Sequence, residues 1–302
     1  MGSSHIGASN VPITPWNFLS LMDYQSDPTS SKAVVIPVPY DGTASYRTGA
    51  REGPWAVIQA SRELEDYDPE LDWEPSQLGI YTAPPLEPHM AGPEHMLKRV
   101  RQAVKTLAHG KEVVALLGGD HSISLGAVQA LREFYPDLSV LYLDAHADMR
   151  EEYMGTRFGH ASVAKRIVEE ECPLVQVGVR TLSLEERDFI GRLGVPVFLD
   201  QGLKGKLPNA EEVLPFLSPN VYISVDLDVL DPSIMPDVGN PEPGGPSWYD
   251  VITLLKEVSK HCRIVGFDVV ELCPPQGSSP SPLIAAKLVY KILGYALAAA
   301  RK

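Results

Sequence analysis

The sequence has only three cysteines in 302 residues, Cys172, Cys262 and Cys273, and no Cys-x-x-Cys pair. So sparse and odd a count excludes a disulfide framework and fits a reducing compartment. Basic residues are also scarce: 26 Lys and Arg against 39 Asp and Glu leave a net charge of −13. Gripping nucleic acid takes clustered cations that neutralise phosphates, and this balance argues against it. An acidic surface can instead steer cationic substrates. No uninterrupted apolar run approaches the roughly 18–20 residues needed to cross a bilayer. The first fifteen residues lack the apolar core of a signal peptide. Residues 1–5 carry no functional weight. The expectation is a cytoplasmic globular protein with no membrane and no nucleic-acid partner.

What the chain does have is alternation. Short apolar runs at 33–38, 113–117, 139–143, 174–177, 197–199, 221–225 and 263–267 read as strands. Amphipathic stretches at 94–107, 124–134, 160–170, 184–193 and 248–261 read as helices, and an Ala- and Leu-rich helix is expected over 282–299. Strands apolar throughout and alternating with helices imply an α/β fold, a mostly parallel sheet covered on both faces. Nothing resembles a linker or a repeat, so a single domain is expected over 1–302, with 1–30 as an N-terminal extension. In open α/β sheets ligands bind at the carboxyl ends of the strands.

Those ends carry liganding residues. One strand runs into Asp144-Ala145-His146-Ala147-Asp148. If the extended form persists, Asp144, His146 and Asp148 share one face, because strand side chains alternate. Val221–Val225 leads into Asp226-Leu227-Asp228, again two carboxylates on one face. A third strand leads through Gly118-Gly119, glycines suited to a tight turn, into Asp120-His121-Ser122. Neither the Gly-x-Gly-x-x-Gly nor the Walker spacing of a nucleotide loop is present. Gathered without a metal, four carboxylates would repel. Carboxylates mixed with imidazole and no thiolate suit Mn²⁺ or a similar ion. Six ligands are too many for one catalytic ion, so two ions about 3.5–4 Å apart are expected.

The segments Gly118–Ser122, Asp144–Asp148 and Ser224–Pro232 resemble three signatures of the ureohydrolase family of arginase and agmatinase. An early stretch, Pro37–Gly42 through Arg47 and Gly49-Ala50-Arg51, resembles the family's N-terminal loop. The resemblance covers nearly the whole chain and implies the family's three-layer αβα sandwich, and a homotrimer or homohexamer. It also implies two Mn²⁺ per chain. His121, Asp144, Asp148 and Asp226 would hold one, and Asp144, His146, Asp226 and Asp228 the other, with Asp144 and Asp226 bridging. A water activated between them would attack a guanidinium carbon and release urea and an amine, with Asp148 orienting it. His160 matches the family's proton-shuttling histidine, and Glu271 the carboxylate that pairs with the guanidinium. Intact His160 and Glu271 argue against a catalytically inactive, metal-stabilised scaffold.

No arginase-like Asn/Ser loop follows Asp148, so nothing awaits an α-carboxylate. Glu151 and Glu152 suit a cationic amine tail, and Glu242 and Asn240 lie in a segment like the active-site rim of agmatinases. The resemblance is greatest to agmatinase, and agmatine is the expected substrate, giving putrescine and urea. Aminopropylagmatine, a guanidino acid or arginine are the alternatives, and Arg150 favours the acid. Asn240 stands where the family usually has threonine, and Gly159 where serine is common.

Overall fold

A computed structural model describes residues 14–200 and 205–301. The polar start over residues 1–5 lies outside the described residues. Among the described residues the sheet has eight strands, β1 (Ala33–Val38), β2 (Ile80–Thr82), β3 (Val113–Gly118), β4 (Ser139–Leu143), β5 (Leu174–Val179), β6 (Val197–Leu199), β7 (Asn220–Asp226) and β8 (Arg263–Val270). Their order is β2-β1-β3-β8-β7-β4-β5-β6 and every pairing is parallel. The sequence pattern suggested a mostly parallel sheet; among the described residues it is wholly so.

Alternation along each strand fills two cores. Val113, Ala115 and Leu117 of β3 point to one, Val114 and Leu116 to the other. Helices α1 (Gly53–Ser61), α7 (Trp248–His261) and α8 (Ser281–Leu297) cover the first face, together with the short α6 (Ala210–Val213). Helices α2 (Pro93–Leu107), α3 (Ser124–Arg132), α4 (Val163–Glu169) and α5 (Leu184–Leu193) cover the second. The result is a three-layer αβα sandwich.

Three elements escaped the sequence pattern. β2 is three residues long at the sheet edge, α6 is a single turn, and α1 carries too little apolar contrast to read as amphipathic. α8 with the turn that follows it, Ser281–Arg301, is long and apolar enough by composition to cross a membrane, although Lys287 and Lys291 interrupt its apolar run. Its apolar residues are nonetheless core: Leu288, Val289, Ile292 and Leu293 are fully buried against the sheet. Cys172, Cys262 and Cys273 are buried free thiols.

Candidate metal centre

Among four neighbouring strands in the middle of the sheet, β3, β8, β7 and β4, the ends of β3, β7 and β4 carry the liganding residues and the end of β8 carries Glu271. Turn chemistry, rather than continued extension, makes the side chains converge. β4 stops at Leu143, and the Asp144 carboxylate folds the chain by accepting from the His146 backbone N–H at 2.6 Å. β7 stops at Asp226, whose carboxylate caps a 3₁₀ turn, Leu227–Val229, by accepting from the Asp228 N–H at 2.9 Å. Asp120 caps the turn His121–Ile123 in the same way, through the Ser122 N–H at 3.1 Å. The extended alternation expected for 144, 146 and 148 and for 226 and 228 is therefore corrected. Short Asp side chains compete with the ladder for backbone N–H groups and end the strand. Asp148 even takes a left-handed φ of 51°. The paired glycines act differently from expectation too. Neither has a positive φ, but a Cβ on Gly119 would lie 1.8 Å from the Tyr40 carbonyl oxygen, so close approach to the chain after β1 is what demands glycine there.

The ligand atoms form two groups, His121 with Asp144 and Asp226, and Asp144 with His146 and Asp228, each with its atoms within 4.8 Å of one another. His121 Nδ1 lies 3.0 Å from Asp144 Oδ2, 3.2 Å from Asp226 Oδ2 and 3.5 Å from Asp148 Oδ2. His146 Nδ1 lies 2.9 Å from Asp228 Oδ2 and 3.4 Å from Asp144 Oδ1. Asp144 thus turns one oxygen to each imidazole. Its Oδ2 is buried and accepts no hydrogen bond, although an imidazole nitrogen sits beside it. Lone pairs converging without a proton between them are the arrangement a cation completes, and carboxylate with imidazole suits a divalent ion of the Mn²⁺ kind.

The electrostatics agree. Burial opposes ionisation of Asp144, but the two adjoining imidazoles outweigh it and hold the carboxyl below its usual range. Burial pushes Asp148 and Asp226 well above theirs, and the neighbouring carboxylates add to the shift. Burial would lower the pKa of His121 and His146, yet the surrounding aspartates raise both. So dense a set of buried carboxylates calls for positive charge.

A buried relay behind the ligands was not read from the sequence. His121 Nε2 lies 2.8 Å from Ser224 Oγ, whose hydroxyl donates to Asp268 Oδ1 at 2.8 Å; Tyr222 donates to the other Asp268 oxygen at 2.6 Å. The relay keeps Nε2 protonated and so turns the Nδ1 lone pair to the carboxylates, as outer partners of metal-bound histidines do. Alternation on β7 and β8, which pairs Ser224 with Asp268, was the available signal. Tyr142 stacks on His121 with ring centroids 4.5 Å apart and donates to Asp148 Oδ2 at 2.8 Å.

Above the ligands opens a cavity of about 260 Å³, lined by His146, Asp148, His160, Arg150, Asn240 and Glu242, among others. His160 starts the 3₁₀ turn His160–Ser162 before α4, and burial holds its pKa below the usual value. Glu242 Oε1 reaches to 3.7 Å from His146 Nε2, and Asn240 donates to Ser45 Oγ at 3.5 Å. Glu271 follows β8 with a left-handed φ of 65° and is buried, outside the residues that line the cavity. Its Oε1 accepts from the His121 N–H at 2.8 Å, while a Cβ at Gly239 would come within 2.6 Å of Oε2. Burial, then the charges of Asp226 and Asp120, raise its pKa.

Glu151 and Glu152 do not line this cavity, which corrects their expected place beside the substrate tail. Glu151 is held outside by Arg157 and Lys165, each at 2.6 Å, and by Arg166 at 3.5 Å, and Glu152 is exposed. Arg150 does line it, its guanidinium 5.0 Å above the Tyr153 ring.

A three-layer sandwich with paired His/Asp groups at the carboxyl edge of its sheet defines a metal-dependent hydrolase. The Arginase family model matches residues 31–294, and the chain belongs to that family. It is similar to the N(1)-aminopropylagmatine ureohydrolase of Thermus thermophilus, 43% identical over 267 residues, 87% of this chain and 90% of that protein. It also resembles the agmatinase of Pyrococcus horikoshii, 32% identical over 269 residues, 86% of this chain and 90% of that one. Among solved structures, the agmatine ureohydrolase of Thermoplasma volcanium superimposes with a TM-score of 0.81 at 29% identity, covering 96% of this chain and 97% of that one.

Proposed function

We propose that the chain hydrolyses a cationic guanidine to urea and an amine, with agmatine or aminopropylagmatine as substrate and two Mn²⁺ per chain as cofactor. The observation that carries this is Asp144, shared between two His/Asp groups, with the buried carboxylate of Glu271 close behind. When bound, a pair of divalent ions supplies Lewis acidity and lowers the pKa of water to near neutrality.

The remaining work falls to the chain's own residues. Glu271 pairs with the substrate guanidinium, and the pair restores the ionised carboxylate that burial disfavours. Asp148, fixed by the Tyr142 hydroxyl, orients the attacking water by hydrogen bonding. His160, neutral because it is buried, takes up a proton and passes it to the departing amine. Glu242 gives the cavity wall a carboxylate for a cationic tail, the role Glu151 and Glu152 do not fill. An aminopropyl extension adds a second amine to the tail, which suits an open rim, and the Thermus relative supports that choice. A cytoplasmic homotrimer or homohexamer belongs to the same proposal.

Arg150 in the cavity wall favours a second reading, a guanidino acid whose carboxylate it would hold. Comparison of kcat/KM values separates the two. Agmatine or aminopropylagmatine should exceed L-arginine by at least about 100-fold, roughly 2.7 kcal/mol of transition-state stabilisation. A preference for guanidinobutyrate would overturn the amine-tail assignment and leave urea release standing.

A further inference from the structure

His160 does not stand alone in the cavity wall. Its Nδ1 lies 3.2 Å from Thr43 Oγ1, and its backbone N–H donates to the same oxygen at 3.1 Å. The Thr43 hydroxyl in turn donates to Asp120 Oδ2 at 2.9 Å, and the Thr43 N–H donates to that oxygen at 2.9 Å as well. The other Asp120 oxygen is held by the Ser122 N–H and hydroxyl. A hydroxyl has one proton to give. Thr43 gives it to Asp120 and so can only accept from the imidazole.

We propose that Thr43 and Asp120 are positioning residues that fix the tautomer of His160, with Nδ1 protonated and Nε2 left to exchange protons in the cavity. Nε2 lies 3.3 Å from Ser45 Oγ, a hydroxyl on the cavity wall that donates to its lone pair. The chain Asp120–Thr43–His160 joins residues 117 positions apart in sequence, which is why spacing alone did not suggest it. An imidazole in the wrong tautomer presents N–H where a lone pair is needed, and a general base then fails although its ring is in place. This inference rests on the proton-transfer role proposed for His160.

The test is a double-variant cycle on the manganese-loaded, full-length protein, with kcat, KM and bound metal measured for Thr43→Val, Thr43→Ser, His160→Ala and the double variant. His160→Ala should lower kcat about 10²–10⁴-fold. Thr43→Val, nearly isosteric but without the hydroxyl, should lower kcat at least about tenfold, with KM and metal content little changed. Thr43→Ser should restore most of the loss, and Thr43→Val should add nothing in the His160→Ala background. Losses that multiply in the double variant, or full turnover in Thr43→Val beside an impaired His160→Ala, would overturn the Thr43 assignment alone. Full turnover in His160→Ala would overturn the histidine's role and this inference with it.

Discussion

Asp144 offers one oxygen to each His/Asp group and is the residue the two groups share among the described residues. Its replacement by Ala should remove most of the bound metal and nearly all activity, as elemental analysis and a urea assay would register. Full metal content in Asp144→Ala would contradict the shared-ligand arrangement. Ser224 acts one step back, accepting from His121 Nε2 and donating to Asp268. Outer partners of this kind typically contribute about 10–100-fold in metal affinity. Ser224→Ala should therefore weaken manganese binding by that order in a calorimetric titration, and unchanged affinity would show that the relay does not orient the ring. At this scale the ligands were legible because Asp and His at strand ends are chemically conspicuous. Ser224 and Tyr142 were not, since a buried hydroxyl in an apolar run looks like any packing residue until its partners are seen, and Thr43 is a half-buried loop residue that nothing marks out before its partners are known. The two glutamates after Asp148 misled for the converse reason. Their charge was legible, but the cations of α4 that claim Glu151 were not.

Among the elements, the strands β3, β4, β7 and β8 place the site, and the helices hold the strands. The apolar runs located these strands within a few residues because buried parallel strands have no polar face to confuse the pattern. After β4 and β7 the chain turns where the alternation suggested continued extension, because Asp side chains that bond backbone N–H groups leave no trace in a pattern of apolar residues. Arg180 shows how the turns are secured. Its guanidinium donates to the Asp228 carbonyl at 2.7 Å, to Val229 at 3.1 Å and to Glu242 at 3.1 Å, tying the rim to the ligand turn. On the opposite face, α8 is anchored by Lys291, whose ammonium lies 2.9 Å from buried Asp68 and also binds Glu70. Removing one partner of a buried pair costs about 3–5 kcal/mol because the other charge is left uncompensated. Lys291→Ala should lower stability by that order in denaturant unfolding; an unchanged midpoint would contradict it. The pH dependence has a definite sign. Burial alone would raise the pKa of Glu70, but Lys291, Lys256 and Tyr295 bring it down to about 2. A depressed carboxylate stabilises the fold above its usual range and loses that contribution as pH falls toward about 2. The native protein should thus lose more stability over that interval than Lys291→Ala does.

For the molecule as a whole, the net charge of −13 and the carboxylates around the cavity favour cations over anions. The fold class was legible from alternation alone, whereas the edge strand β2 and the one-turn α6 were too short to carry a period. The long apolar α8 has the composition of a membrane span and serves as a core helix, a distinction made by what it packs against rather than by its residues. The central claim is that this sandwich is a metal-dependent urea-releasing enzyme. Metal-stripped protein, reloaded with Mn²⁺ and given agmatine or aminopropylagmatine, tests it most directly through the urea formed. Urea should appear in equal amount to the amine product, only after metal is restored, and with two Mn²⁺ bound per chain. Protein carrying both ions that forms no urea from agmatine, aminopropylagmatine, arginine or a guanidino acid would contradict the account.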